Sequence, residues 1–219
     1  LNENGDPRLQ SIYQPAADDS EFGAYGSNYP GASKTGMRSS DPSSDDSYAR
    51  VNILNTDPAH IMILPEVHFL IAEAALKFND DDATAKANYE AGIVASGAMH
   101  GVGDISYLFE SGAPYEWDSG KSKEDRLKDI YMQRWVAFAN FLTIEGWIEL
   151  RRTDWPERMA YDYAAGDPTV GMLTEPLQNK LGSGLFPNRI WYPESERSAN
   201  IKSPEQPADL TVKVWWDVN

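Results

Sequence analysis

Two carboxylates seven residues apart, Glu66 and Glu73, are the first side chains here whose type and spacing could do chemistry. Paired carboxylates cleave glycosidic bonds when they flank the bond, about 5 Å apart in retaining enzymes and about 6.5–9.5 Å in inverting ones. Seven residues of helix rise by about 10 Å. Side-chain reach shortens that gap, but both groups leave one helix and do not face each other across a cleft. The structural reading fits better. Glu66 sits at the positive end of the helix dipole, and Glu73 pairs with Lys77 one turn on or with an arginine of another helix. No residue is assigned a catalytic role.

The other chemistries fail on their residue patterns. His60, His68 and His100 are the only histidines, and none lies in an H-E-x-x-H pattern. No G-x-S-x-G elbow marks a nucleophile. Gly31 and Gly36 have the outer spacing of a phosphate-binding loop, but Met37-Arg38 stands where Lys and Ser or Thr are needed. Asn79-Asp-Asp-Asp82 gathers hard oxygen ligands, yet lacks the calcium-loop glycine and its distal Glu; it reads as a solvated turn with an N-cap. Neither a metal nor a cofactor is expected. Arg151 and Arg152 could bind an anion, but are expected to tie a helix end to buried acceptors, as an arginine fork does.

The loop Ser111-Gly-Ala-Pro-Tyr-Glu-Trp-Asp-Ser-Gly120 alternates Tyr115 and Trp117 with acids between two turn signals. Exposed rings beside carboxylates suit sugar recognition: the ring face stacks on C–H groups while the acids accept hydroxyl hydrogens. Tyr25 and Tyr29 in a Gly-rich stretch form a second such pair. Two readings stay open, rings on the surface as a platform or rings packed under their loops. On the first, Trp117 and Tyr115 are the leading ligand-binding candidates, with Tyr25 and Tyr29 next.

Composition narrows the partners. The 219 residues carry 34 acids against 19 bases, a net charge of −15. That balance argues against nucleic acid, which is held by a basic footprint. Residues 61 to 120 alone hold ten acids and two lysines, so a neutral or basic ligand is favoured over a polyanion. There is no cysteine, hence no disulfide, Cys-ligated zinc or Cys nucleophile. Mean hydropathy is −0.53, and the sequence has no run of about 18 apolar residues that could span a membrane.

The elements that must position these side chains are helices. Pro65 suits a first helical turn, and Val67, Leu70, Ile71, Ala74, Ala75 and Phe78 follow as one apolar stripe. A second helix is predicted over about 83–98, with Ala83, Ala87, Ala91, Val94 and Ala98 on its packed face, making an antiparallel αα-hairpin. Ser122 caps a third helix whose stripe is Leu127, Tyr131, Trp135, Phe138 and Leu142. A fourth runs over about 143–152 and stops before Trp155-Pro156. The expected fold is all-α, with tetratricopeptide-like helical hairpins and long irregular segments. One region spans 1–219: an irregular lead-in (1–60), a helical core (61–156) and a wrapping tail (157–219).

Seven separated segments then converge on one family. Asp6-Pro-Arg-Leu9 resembles a DPRL lead-in, and Leu64-Pro-Glu-Val-His-Phe-Leu-Ile-Ala-Glu-Ala-Ala75 is similar to an E-V-x-F-L-x-A-E-A helix. Tyr89-Glu-Ala-Gly-Ile-Val-Ala-Ser96 resembles Y-x-x-G-I-x-A-S, and Gln133-Arg-Trp135 resembles Q-K-W. Glu145 to Pro156 matches E-x-W-x-x-x-R-R-T-x-x-P, Arg189 to Asn200 looks like R-x-x-Y-P-x-x-E-x-x-x-N, and Val214-Trp-Trp-Asp217 like a closing V-W-W-D. In this order they resemble the C-terminal half of the SusD/RagB-type nutrient-binding lipoproteins of Bacteroidota. The resemblance implies structural roles for Trp147, Arg189 and Tyr192. It implies a non-catalytic protein at the outer membrane and cell surface, anchored by lipid through an N-terminal portion outside this chain. The implied partners are an oligosaccharide, or a peptide in the RagB branch, and a TonB-dependent SusC-like transporter. A helical glycoside hydrolase is the competing enzyme reading, and a protein-binding tetratricopeptide-like scaffold the competing interaction reading.

Overall fold

Helix ends form where the sequence supplies their caps. The computed structural model describes residues 1, 3–14, 50–159, 173–174, 180–182 and 185–217. In chain order these contain α1 (Arg8–Ile12), β1 (Tyr13–Gln14), β2 (Arg50–Val51), α2 (Leu64–Asn79), α3 (Asp82–Met99), α4 (Lys123–Phe138), α5 (Thr143–Thr153), β3 (Arg158–Met159), β4 (Leu173–Thr174) and α6 (Glu194–Ala199). The strands are two residues each, β1 antiparallel to β2 and β3 parallel to β4. The all-α, tetratricopeptide-like class therefore holds. Two compact units divide the chain, Leu1–Glu149 and Leu150–Asn219, with the boundary inside α5. No helix among the described residues is long and apolar enough to cross a membrane.

The first unit is built on the α2–α3 hairpin. Pro65 lies in the first turn of α2, and Asp80 ends it in the left-handed conformation, its N–H bonded to the Ala75 carbonyl. Asp81 then caps α3 by accepting from the Thr84 amide at 3.0 Å. Ser122 caps α4 in the same way, accepting from the Asp125 amide at 3.0 Å.

The faces that pack differ from the predicted stripes. On α2 the buried residues are Pro65, Phe69, Ala72, Glu73, Ala75 and Leu76, while Leu70, Ile71 and Phe78 are exposed. The helix is apolar on two sides, so periodicity alone did not choose between them. Phe69 decides it. A Cβ at Gly92 on α3 would come within 2.6 Å of the Phe69 ring, so the absent side chain is the socket for that ring. On α3 the packed face is Ala85, Tyr89, Gly92, Ile93, Ser96 and Gly97; the predicted alanine face, with Ala83, Ala87 and Ala98, is exposed. On α4 the seam is Ile130, Gln133, Arg134, Ala137 and Phe138, and Leu127, Tyr131 and Trp135 are half-buried.

Candidate functional site

The α3–α4 connection carries the loop singled out for its rings. A 3-10 turn at Ser106–Phe109 leads into it. Tyr115 is 9% exposed and Trp117 5%, so the expectation of an exposed ring platform at these two residues is corrected. The rings join the hydrophobic core of the first unit. Trp117 packs against Tyr89 with centroids 5.2 Å apart. Their polar tips are also used inside: the Tyr115 hydroxyl donates to Asp6 Oδ2 at 2.9 Å and the Trp117 indole to Asp82 Oδ1 at 3.1 Å. A loop can bury two large rings when the core supplies acceptors for both. Tyr25 and Tyr29 lie outside the described residues.

Asp82 gathers the loop onto α4. It accepts from Trp117, from the Ser119 hydroxyl and from Arg126. Burial pushes its carboxyl up, but these donors together hold it below the ordinary carboxylate value. Asp80 pairs with Lys123 at 2.7 Å. The acidic run that resembled a calcium loop is thus engaged as a cap, a surface pair and a half-buried hub. Among the described residues no group of three or more His, Asp or Glu side chains is placed to hold a metal ion.

Beneath the loop lies a network that sequence reasoning missed. Arg8 is fully buried and grips Asp6 through Nε and Nη2, the closest contact being 2.6 Å. Its remaining donors reach Ser96 Oγ at 3.0 Å and Gln133 Oε1 at 2.8 Å. The guanidinium also stands 5.8 Å from the Tyr115 ring centroid. Burial raises the Asp6 pKa, and the Arg8 bonds more than offset that, leaving it below its ordinary value. His100 is buried at the edge of this network, against Phe141. Burial first, and the Arg8 charge second, push its imidazole down to about 4, so it is neutral at physiological pH. The available signal was the recurrence of polar residues at fixed motif positions: Asp6, Arg8, Ser96 and Gln133 come from three segments already recognised as motifs.

Next to this network a small pocket of about 190 Å³ opens between the loop and α3 and α4. Tyr89, Tyr115, Glu116, Lys121, Asp129 and Gln133 line it. Lys121 Nζ pairs with Asp129 Oδ2 at 2.7 Å. Burial raises the Asp129 carboxyl above its ordinary value, with Lys121 opposing.

A second buried arginine explains the glutamates. Arg134 on α4 meets Glu149 at 3.0 Å, Glu73 at 3.5 Å and Glu66 at 3.7 Å. Glu73 also accepts from Tyr131 at 3.3 Å and approaches Lys77 at 3.8 Å. Glu66 and Glu73 therefore share one guanidinium.

In the second unit, Arg151 is buried, donates to the Asn188 carbonyl and lies 4.8 Å from the Trp216 ring centroid. Burial lowers its pKa and Asp217 opposes that shift. Asn188 is held in turn by the Leu210 and Thr211 carbonyls, at 2.8 and 2.7 Å. Arg152 and, in the first unit, Trp147 are half-buried. Arg189 donates to the Tyr192 hydroxyl at 3.3 Å, and Gln206 clamps the Tyr192 backbone at 3.0 and 2.9 Å. Asn200 closes α6 by donating to Glu196 at 2.6 Å. Trp215 is 90% exposed.

A family model described as "starch-binding associating with outer membrane" matches residues 1–193. The chain belongs to this SusD-like family. No curated protein sequence matches it. Among solved structures it is similar to a SusD homologue of Bacteroides thetaiotaomicron (25% identity, TM-score 0.70, covering 99% of this chain and 50% of that one). It is similar to one of Bacteroides vulgatus (23%, 0.69, 100% and 47%). It is also similar to a chitin-binding SusD homologue of Flavobacterium johnsoniae (23%, 0.64, 100% and 48%). This SusD-like chain thus spans about half the length of these relatives.

Proposed function

We propose that this SusD-like protein captures oligosaccharides at the cell surface without breaking a bond and passes them to a TonB-dependent SusC-like transporter. A lipid anchor on an N-terminal portion would hold it to the outer membrane. The observation that carries the reading is the family match over residues 1–193. Two physical features support it. The glutamates that could have served a hydrolase share Arg134 instead of facing each other across a cleft. The net charge of −15 favours neutral or basic glycans over polyanionic ones. With Tyr115 and Trp117 in the core, the stacking role falls to Tyr25 and Tyr29. The test is retention of the protein on neutral, basic and polyanionic polysaccharides, with release of reducing ends followed in parallel. Retention on a neutral or basic polysaccharide without release is expected. Release of sugar would make the protein a hydrolase. Binding of peptides alone would move it to the peptide-capturing branch.

A further inference from the structure

The pocket beside the Arg8 network holds polar atoms that the protein leaves unused. Tyr89 is 2% exposed and lines it. Its hydroxyl has no hydrogen-bond partner among the described residues, although the ring is fixed between Phe69 and Trp117 at 6.4 and 5.2 Å. Gln133 is likewise 2% exposed. Its Oε1 is taken by Arg8, which aligns the amide and leaves its NH₂ group without an acceptor among the described residues. Both groups reach the solvent of the pocket, where water or a ligand hydroxyl can meet them. Asp129 and Lys121 add an acceptor and a donor whose geometry is set by their own 2.7 Å pair. Tyr115 closes one wall.

We propose that this pocket is a subsite for one terminal sugar unit of a captured glycan, with Tyr89 and Gln133 donating to its hydroxyl oxygens and Asp129 accepting from them. The inference rests on the glycan-capture reading. Size sets the occupant. At about 190 Å³ the pocket holds about six waters at their liquid volume of about 30 Å³ each. It falls below the range of about 300–1,000 Å³ that houses a drug-sized ligand. It admits one ring-sized group and excludes a run of chain. Polarity sets the chemistry. The walls offer donors and acceptors together, which suits hydroxyls that do both. Glu116 and Asp129 against Lys121 leave a single negative charge, unsuited to an acidic sugar. Burial, which raises the Asp129 carboxyl, makes it a stronger acceptor once the ligand displaces water.

A subsite for a chain end distinguishes linear from cyclic ligands. The probes are a linear malto-oligosaccharide, the cyclodextrin with the same number of glucose units, and a linear chitooligosaccharide, each titrated calorimetrically into the 219-residue chain. At least one linear probe binds, and for the glucans the linear form binds at least about tenfold tighter than the cyclic one. Tyr89→Phe weakens the linear probe about fivefold, the loss of one hydrogen bond, while its melting temperature stays at or above wild type because the hydroxyl has no protein partner to lose. Asp129→Asn weakens it further, and the pair of variants guards against a fold effect in either. Two results overturn the subsite. If linear and cyclic glucans bind equally, or Tyr89→Phe leaves linear binding unchanged, the glycan site lies elsewhere and the capture reading stands. If no probe binds and no polysaccharide retains the protein, the subsite and the capture reading fall together.

Discussion

Gln133 and Arg134 are neighbours on α4, and they serve two buried arginine centres of opposite design. Gln133 points to Arg8, whose guanidinium is matched by a single carboxylate at 2.6 Å and two neutral acceptors. Arg134 is surrounded by three carboxylates at 3.0–3.7 Å, and the described residues give its Nε no acceptor. One step along a helix turns the side chain by about 100°, so adjacent residues feed different cores. The Arg8 centre is neutral and closely bonded. The Arg134 centre sets three carboxylates around one guanidinium, two of them at 3.5 and 3.7 Å. A buried charge stabilises a fold only with close geometry and satisfied partners, so the first centre holds the unit together and the second tolerates change.

The largest expected effect tests that claim. Arg8→Met strands the Asp6 carboxylate in the core and should cost about 3–5 kcal/mol, measured by urea denaturation. Adding Asp6→Leu should recover much of the loss, because no unpaired charge then remains. A mild single variant would show that the network is open to water.

His100 sharpens the comparison through pH. Its ordinary value is 6.5 and its folded value about 4. Above 6.5 both folded and unfolded states are neutral there and stability does not respond. Between 6.5 and about 4 the unfolded chain takes up a proton that the folded chain refuses, so stability falls as pH falls. The loss by pH 4 is of the order of 3 kcal/mol. Asp6, held below its ordinary 3.8, adds to the loss only below about pH 5, so the upper part of the window reports His100. His100→Phe should flatten the dependence in denaturation curves across pH 4–7. An unchanged slope would assign it to other groups.

The smallest effect is expected at the other arginine. Glu66→Gln removes one of three carboxylates, the most distant one, whose Oε2 is buried without a partner among the described residues. Thermal unfolding should shift by no more than about 1 kcal/mol in either direction. A loss as large as that of Arg8→Met would erase the distinction between the centres.

The four longer helices, α2 to α5, were legible in the sequence because Pro65, Asp81, Ser122 and Pro156 act locally; the short α1 and α6 fall in segments expected to be irregular. The packed faces of α2 and α3 were not. Both helices carry apolar residues on two sides, and the choice is made by Phe69 entering the space above Gly92, a contact between residues 23 positions apart. The choice between exposed and packed rings at Tyr115 and Trp117 stayed open for the same reason. Their acceptors, Asp6 and Asp82, are 109 and 35 positions away, and nothing near the loop signals that the core needs its rings. The polar network was present in the motifs as Asp6, Arg8, Ser96 and Gln133, but only their convergence shows that the motifs describe one structure.

Non-catalytic glycan capture is tested most directly by following a bound ligand to recovery. The protein is saturated with the neutral oligosaccharide that the polysaccharide panel selects, in a calorimetric titration. The ligand is then released by denaturation and its chain length read by mass spectrometry. Saturable binding, with every recovered chain at its original length, is the predicted result. Shortened chains, or heats that never saturate with any glycan tried, would contradict it.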